Sequence, residues 1–145
     1  MNGLRQRGFS LLEILLALAI VSILAVIAIP PYLDYTVRAR VSEGIALVDP
    51  IKARVTVYYQ STGTWPDSNA TADLEAPAAY KSDNVDAISV AAGTAGVAIT
   101  VSYRIPALGG NNTIVFTPDT ATGWIQWSCK QGTMANRYRP ATCRT

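Results

Sequence analysis

Glu13 is the residue most in need of a chemical explanation. It is the only charged side chain between Gly8 and Leu33, a run otherwise dominated by Phe, Leu, Ile, Val and Ala. An ionised carboxylate in a bilayer costs about 2.5–3.5 kcal/mol on insertion scales, so such a residue marks function by default. Cys129 and Cys143 are the only cysteines. Outside the cytoplasm their default chemistry is a disulfide, which closes a loop of about 15 residues and contributes roughly 3 kcal/mol in the chain-entropy model. The loop between them reads first as a staple fixing the C-terminus against the sheet; its functional reading is an exposed contact surface, in which Lys130, Arg137, Tyr138 and Arg139 face anionic glycans, phosphate or another subunit. No acidic side chain follows Asp119.

Other chemistries lack their parts. There is no histidine, no C-x-x-C, no nucleophile elbow and no glycine-rich phosphate loop, so neither an enzyme nor a metal or cofactor site is expected. Asp83 and Asp86 read as solvated turn charges. Asn69-Ala70-Thr71 and Asn111-Asn112-Thr113 match the N-glycosylation pattern, a short and common one. Without Arg5 and Arg7 the remaining basic side chains number ten against ten acidic, so net charge gives no case for nucleic acid.

The elements that position these residues follow from patterning. Ile14 to Leu33 are 20 residues without a charge, enough to cross about 30 Å of hydrocarbon as a helix. Arg5 and Arg7 precede that stretch, which orients the rest outward. Beyond it, Leu33, Val37, Val41, Ile45, Val48, Lys52, Val55 and Tyr59 recur at helical spacing, with Ile51 able to stand in for Lys52. Asp34, Arg38, Glu43 and Arg54 take the opposite side. A helix from Phe9 to about Gln60 is roughly 78 Å long, so its first half is expected to project. Pro30 and Pro31 predict a kink. Asp49-Pro50 predicts either a kink at 46–50 or the end of one helix and the start of another. Gly44 adds local softness.

After Gly63 the pattern changes. Trp65 to Asn69 reads as a turn, and 71–80 as a loop with one short helical turn. Val97, Ile99, Val101, Tyr103 and Ile105 alternate with polar or small residues. Ala87–Ala91, Thr113–Thr117 and Trp124–Cys129 complete four strands, with turns at 109–112 and at Thr117-Pro118-Asp119. The expected class is α+β: a long N-terminal helix packed on a four-stranded antiparallel sheet, followed by a C-terminal disulfide loop.

The stretch Arg7-Gly8-Phe9-Ser10-Leu11-Leu12-Glu13, the segment Ala28 to Gly44, Gly63-Thr64-Trp65-Pro66 and the terminal cysteine pair resemble the type IV pilins. The resemblance is specific over the first 44 residues and weaker over 67–122. It implies a leader, 1–8, cut by a prepilin peptidase between Gly8 and Phe9, with N-methylation of Phe9. It implies an assembly and membrane half, 9–35, and a globular head, 36–145. Glu13 becomes the fifth mature residue, poised to pair with the Phe9 amino group of a neighbouring subunit, and Pro30 belongs to the same assembly segment. Many pilins carry glycine where this chain has Ser22. The implied partners are a homopolymeric helical filament, the pilus assembly machinery with its minor pilins, the inner membrane before assembly, and a host-surface or DNA ligand. The implied location is the inner membrane, then an extracellular filament supporting adhesion, surface motility and DNA uptake. Alternatives are a minor pilin or type II secretion pseudopilin, and, from another class, a membrane-anchored or secreted binding domain.

Overall fold

A computed structural model describes residues 8–145 except Asn111, with the side chains of Pro30 and Pro31 also left aside. Arg5, Arg7 and the Asn111-Asn112-Thr113 sequon therefore fall, wholly or in part, outside the described residues. The chain divides into two compact units, Met1–Leu33 and Asp34–Thr145.

In the first unit, helix α1 (Leu11–Thr62) begins after Ser10, whose carbonyl accepts from the Glu13 and Ile14 amides. Its large apolar side chains before Asp34 are exposed, from 45% at Ile14 to 84% at Leu11. A helix of this length and composition can cross a membrane. Ser22, a weaker helix former, donates its hydroxyl back to the Leu18 carbonyl at 2.7 Å.

In the second unit α1 becomes one-sided. Val37, Val41, Val48, Ile51 and Val55 are buried. Ile51 takes the core position that Lys52 interrupts, while Lys52 pairs with Asp49 at 2.8 Å. The helix does not stop at Pro50: α1 continues through it, and Asp49 serves that ion pair rather than capping a new helix. Pro50 and Asp49 are both exposed.

The sheet is a meander of β1 (Val85–Gly93), β2 (Gly96–Tyr103), β3 (Thr113–Asp119) and β4 (Gln126–Gln131), in sequence order and antiparallel throughout. Val97, Ile99, Val101 and Tyr103 of β2 are buried on one face, as their alternation predicts. Val85, Ile88, Val90, Ile114 and Phe116 join them, and the α1 stripe completes one core.

Three boundaries differ from expectation. Thr117-Pro118-Asp119 is not a turn but the end of β3, with Pro118 opposite Trp127. The β2 pairing stops at Phe116, so the missing amide of Pro118 costs no ladder bond on that side. The reversal lies further on, closed by the Gly123 amide donating to Thr120 at 3.1 Å, and β4 accordingly starts at Gln126 rather than Trp124. Ile105 leaves the sheet because Pro106 follows it; it caps a short 3-10 turn, Pro106–Leu108, and stays buried. Asp86 sits within β1, where the register shifts, and faces Lys81 at 3.8 Å.

Candidate functional site

Among the described residues no group of acidic, Cys or His side chains could hold a metal ion. The candidate features are the N-terminal segment and the C-terminal loop.

At the N-terminus, Gly8 and Phe9 precede the helix, and Phe9 is 77% exposed. Glu13 lies in the first turn of α1, where an acidic group complements the helix dipole, and is exposed. It is the only charge on α1 before Asp34. Its neighbours Leu12, Ile14, Leu15 and Leu16 are exposed too, and among the described residues neither the carboxylate nor this apolar surface is covered. This surface can be satisfied by lipid or by other helices.

The C-terminal loop is the disulfide staple that the sequence suggests, but two of its four expected contact residues are buried. Cys129 on β4 and Cys143 are disulfide-bonded, and both are buried. Arg139 is not a surface contact: it is 4% exposed. Its guanidinium fills the loop and donates to backbone carbonyls throughout it. Nε reaches Met134 at 2.8 Å, Nη1 reaches Lys130 at 2.7 Å and Gln131 at 3.1 Å, and Nη2 reaches Gly132 at 2.8 Å. Longer bonds from Nη1 reach Cys129 at 3.3 Å and Cys143 at 3.5 Å. A polar loop this short leaves its turn carbonyls unpaired, and five fixed N–H donors supply what they lack. Burial lowers the Arg139 pKa. Tyr138 is buried as well, with Arg137 stacked over its ring at 4.6 Å. Lys130 and Arg137 remain exposed, so they alone of the four expected contact residues are surface groups.

The loop is tied to the helix and to its own end. Arg38 Nη2 donates to the Arg137 carbonyl at 3.1 Å. Asn136 Nδ2 holds the Thr145 hydroxyl at 2.9 Å. Thr113 and Thr133 hydroxyls lie 2.9 Å apart, and each accepts from the other residue's amide.

Two features escaped the sequence reading. Asn69, half of a glycosylation pattern, is buried: its amide donates to Glu75 and Ile88 carbonyls at 2.9 and 3.2 Å and accepts from the Val90 amide at 2.6 Å. It is a structural peg and is not available for a glycan. Gly44 is a close-approach site rather than a soft spot. A Cβ there would stand 2.6 Å from the Tyr103 ring. A glycine on the buried stripe of an amphipathic helix was the available signal for it.

Comparisons with known proteins agree with this construction. The family model described as pilin (bacterial filament) matches residues 37–144. A prokaryotic N-terminal methylation motif matches residues 3–29. The chain is 36% identical over 142 residues to the fimbrial protein EcpC of Eikenella corrodens, covering 96% of this chain and 91% of the relative. It is 32% identical over 163 residues to the type IV major pilin protein PilE of Neisseria gonorrhoeae, covering 99% and 96%. A fimbrial protein of Neisseria meningitidis serogroup B is 34% identical over 141 residues, covering 97% and 82%. With the methylation motif on the apolar helix and the pilin model over the head, the chain belongs to the pilin family of bacterial filament subunits.

Proposed function

We propose that this chain is the major structural subunit of a type IV pilus, and that it acts by polymerising rather than as an enzyme. It is made as an inner-membrane prepilin. A prepilin peptidase cuts between Gly8 and Phe9, and Phe9 is N-methylated. The assembly machinery, with minor pilins, then moves the subunit from the bilayer into an extracellular filament. Residues 9–35 form the assembly segment, with Pro30 in it, and 36–145 the head. The filament serves adhesion, surface motility and DNA uptake, with a host-surface or DNA ligand as its outer partner.

The observation that carries this reading is Glu13, the single charge on the exposed apolar part of α1 that precedes Asp34. A charge moved into a dry bundle must be paired, and an unpaired one is strongly unfavourable. Cleavage after Gly8 supplies the partner, the amino group of Phe9 on an adjacent subunit. Registers that leave Glu13 unpaired are thereby rejected.

Intact-mass and N-terminal analysis of sheared filaments tests the processing step: the chain is expected to start at methylated Phe9, and a start at Met1, or inside the apolar run where an ordinary signal peptide is cut, overturns it. Glu13→Ala as the sole subunit tests the pairing. The variant should insert and fold normally yet give few filaments. A normal filament yield from it removes the pairing from the mechanism.

A further inference from the structure

The head carries an open cleft of about 560 Å³ where the last turns of α1 meet the β3–β4 reversal. Thr56, Tyr59 and Gln60 line it from the helix; Thr120, Gly123, Trp124 and Ile125 line it from the turn. Trp124 is 65% exposed, in contrast to the other two tryptophans, which are partly buried. One exposed aromatic is ordinary on a protein surface, but this indole forms a wall of a concave site shared with Tyr59. The turn is held by the Gly123–Thr120 hydrogen bond and by Asp119 Oδ1 accepting from the Ala121 amide at 3.0 Å. Gly123 has φ +84, a conformation that favours glycine.

The opposite wall is also fixed. Tyr59 stacks on Trp65 with ring centroids 4.0 Å apart, and Trp65 meets Trp127 edge-on at 6.2 Å. Thr56, Gln60 and Thr120 make no side-chain hydrogen bond to any described residue. Their hydroxyls and amide are thus free donors and acceptors at the rim of an aromatic cleft. No Lys, Arg, Asp or Glu lines it. The volume falls in the range of small-molecule sites, which join an apolar body to a few polar anchors.

We propose that this cleft is a binding site for a neutral saccharide. A pyranose ring has one face of C–H groups, which stacks on an exposed indole, and a rim of hydroxyls that both donate and accept. The lining offers both: Trp124 and Tyr59 for the face, Gln60, Thr56 and Thr120 for the hydroxyls. The uncharged lining matches an uncharged ligand and gives a phosphate or sialylated sugar nothing to pair with. The site is separate from the disulfide loop, so adhesion by the filament acquires a second location and a ligand class. This inference rests on the adhesive reading of the filament proposed above.

Saturation-transfer difference NMR on purified filaments tests it, with methyl β-D-galactopyranoside, N-acetylglucosamine, lactose and 3′-sialyllactose as probes. Ring C–H protons of at least one neutral probe should receive magnetisation from wild-type filaments. Trp124→Ala should weaken that binding about tenfold or more, and Trp124→Phe less. Gln60→Ala, an exposed change, should weaken it about threefold, as the loss of one neutral hydrogen bond predicts. Absence of transfer to every neutral probe, or equal transfer to Trp124→Ala filaments, overturns the proposal. If Trp124→Ala yields no filaments and Gln60→Ala binds like wild type, the cleft is a subunit contact and the proposal fails. Normal filament yield without saccharide binding removes this site while leaving the filament reading intact.

Discussion

The Tyr103 hydroxyl on β2 donates to the Val41 carbonyl on α1 at 2.9 Å, and its ring lies directly against Gly44 one turn further along the helix. Helix and sheet approach closely here because one residue has no side chain and the other reaches across the gap. Gly44→Ala gains up to about 1 kcal/mol of helix propensity but forces an atom into a packed ring, which costs about 1–3 kcal/mol. The variant should be destabilised overall, by thermal melting of the head. A melting temperature above wild type shows that the ring can yield.

The same tyrosine gives an alkaline signature. Burial first, and then the negative charge of Glu43, raises the Tyr103 pKa above its ordinary value. The folded state therefore disfavours the phenolate. Its contribution is fully present below about pH 10, the unfolded value, and falls away as pH rises from there towards the folded pKa. Tyr103→Phe should lose about 1 kcal/mol at neutral pH but lose less on further alkalinisation than wild type. Parallel alkaline melting curves for the two proteins sink this assignment.

Glu43 acts at the other end of the scale. The Asn84 amide, at 2.5 Å, and then the Ser82 hydroxyl hold its carboxyl below the usual range. A depressed pKa contributes stability above the unfolded value of about 4.3, and that is lost as pH falls through the folded value. Asp67 is lowered in the same sense by Thr71 and Ser68, so its contribution is likewise lost on the acid side, starting below its own unfolded value of about 3.9. Glu43→Gln should flatten the acid limb of the melting temperature against pH below about 4.5 without abolishing it. An unchanged acid limb shows that the Asn84 bond does not couple to folding.

Much of the architecture is legible because it is carried by repetition. The β2 alternation and the α1 stripe each repeat one simple choice, inward or outward, several times over. The apolar start of α1 is legible for a different reason: an unbroken apolar run with one carboxylate has few physical meanings. The rest turns on single contacts. Arg139 reads as a surface cation because charge normally seeks water, yet six carbonyls of one short loop outweigh that preference. Pro118 reads as a turn residue until the length of its neighbouring strand is known. Asn69 looks available until three backbone groups are seen to occupy its amide. Each depends on which groups meet across distant parts of the chain, which no local pattern records.

Arg139 and the Cys129–Cys143 disulfide secure one loop by independent means. Arg139→Lys keeps the charge but replaces a planar fork with a single ammonium, so most of the carbonyls lose their donor. A loss of about 2–4 kcal/mol is expected, similar to the cost of removing the disulfide. Because both act on the same loop, the two losses together should be less than additive. A cycle of Arg139→Lys with the double Cys→Ser variant, followed by denaturant unfolding, measures the coupling. Full additivity rules out a shared unit, and an Arg139→Lys protein as stable as wild type removes Arg139 as its centre.

A fragment beginning at Thr36 should fold alone as a monomer, whereas the full mature chain should need detergent or a filament. Apolar surface needs a partner, and the two units differ in whether they contain one. Val37, Val41, Val48, Ile51 and Val55 are covered by strands of their own unit. From Leu11 to Leu33 the large apolar side chains are exposed in the isolated chain. Truncation therefore takes away surface that only lipid or neighbouring helices can cover, and leaves the core closed. Size-exclusion chromatography and cooperative thermal melting check the outcome. An unfolded fragment shows that the head borrows stability from the N-terminal segment. A fragment that forms filaments by itself shows that polymerisation does not reside in residues 9–35.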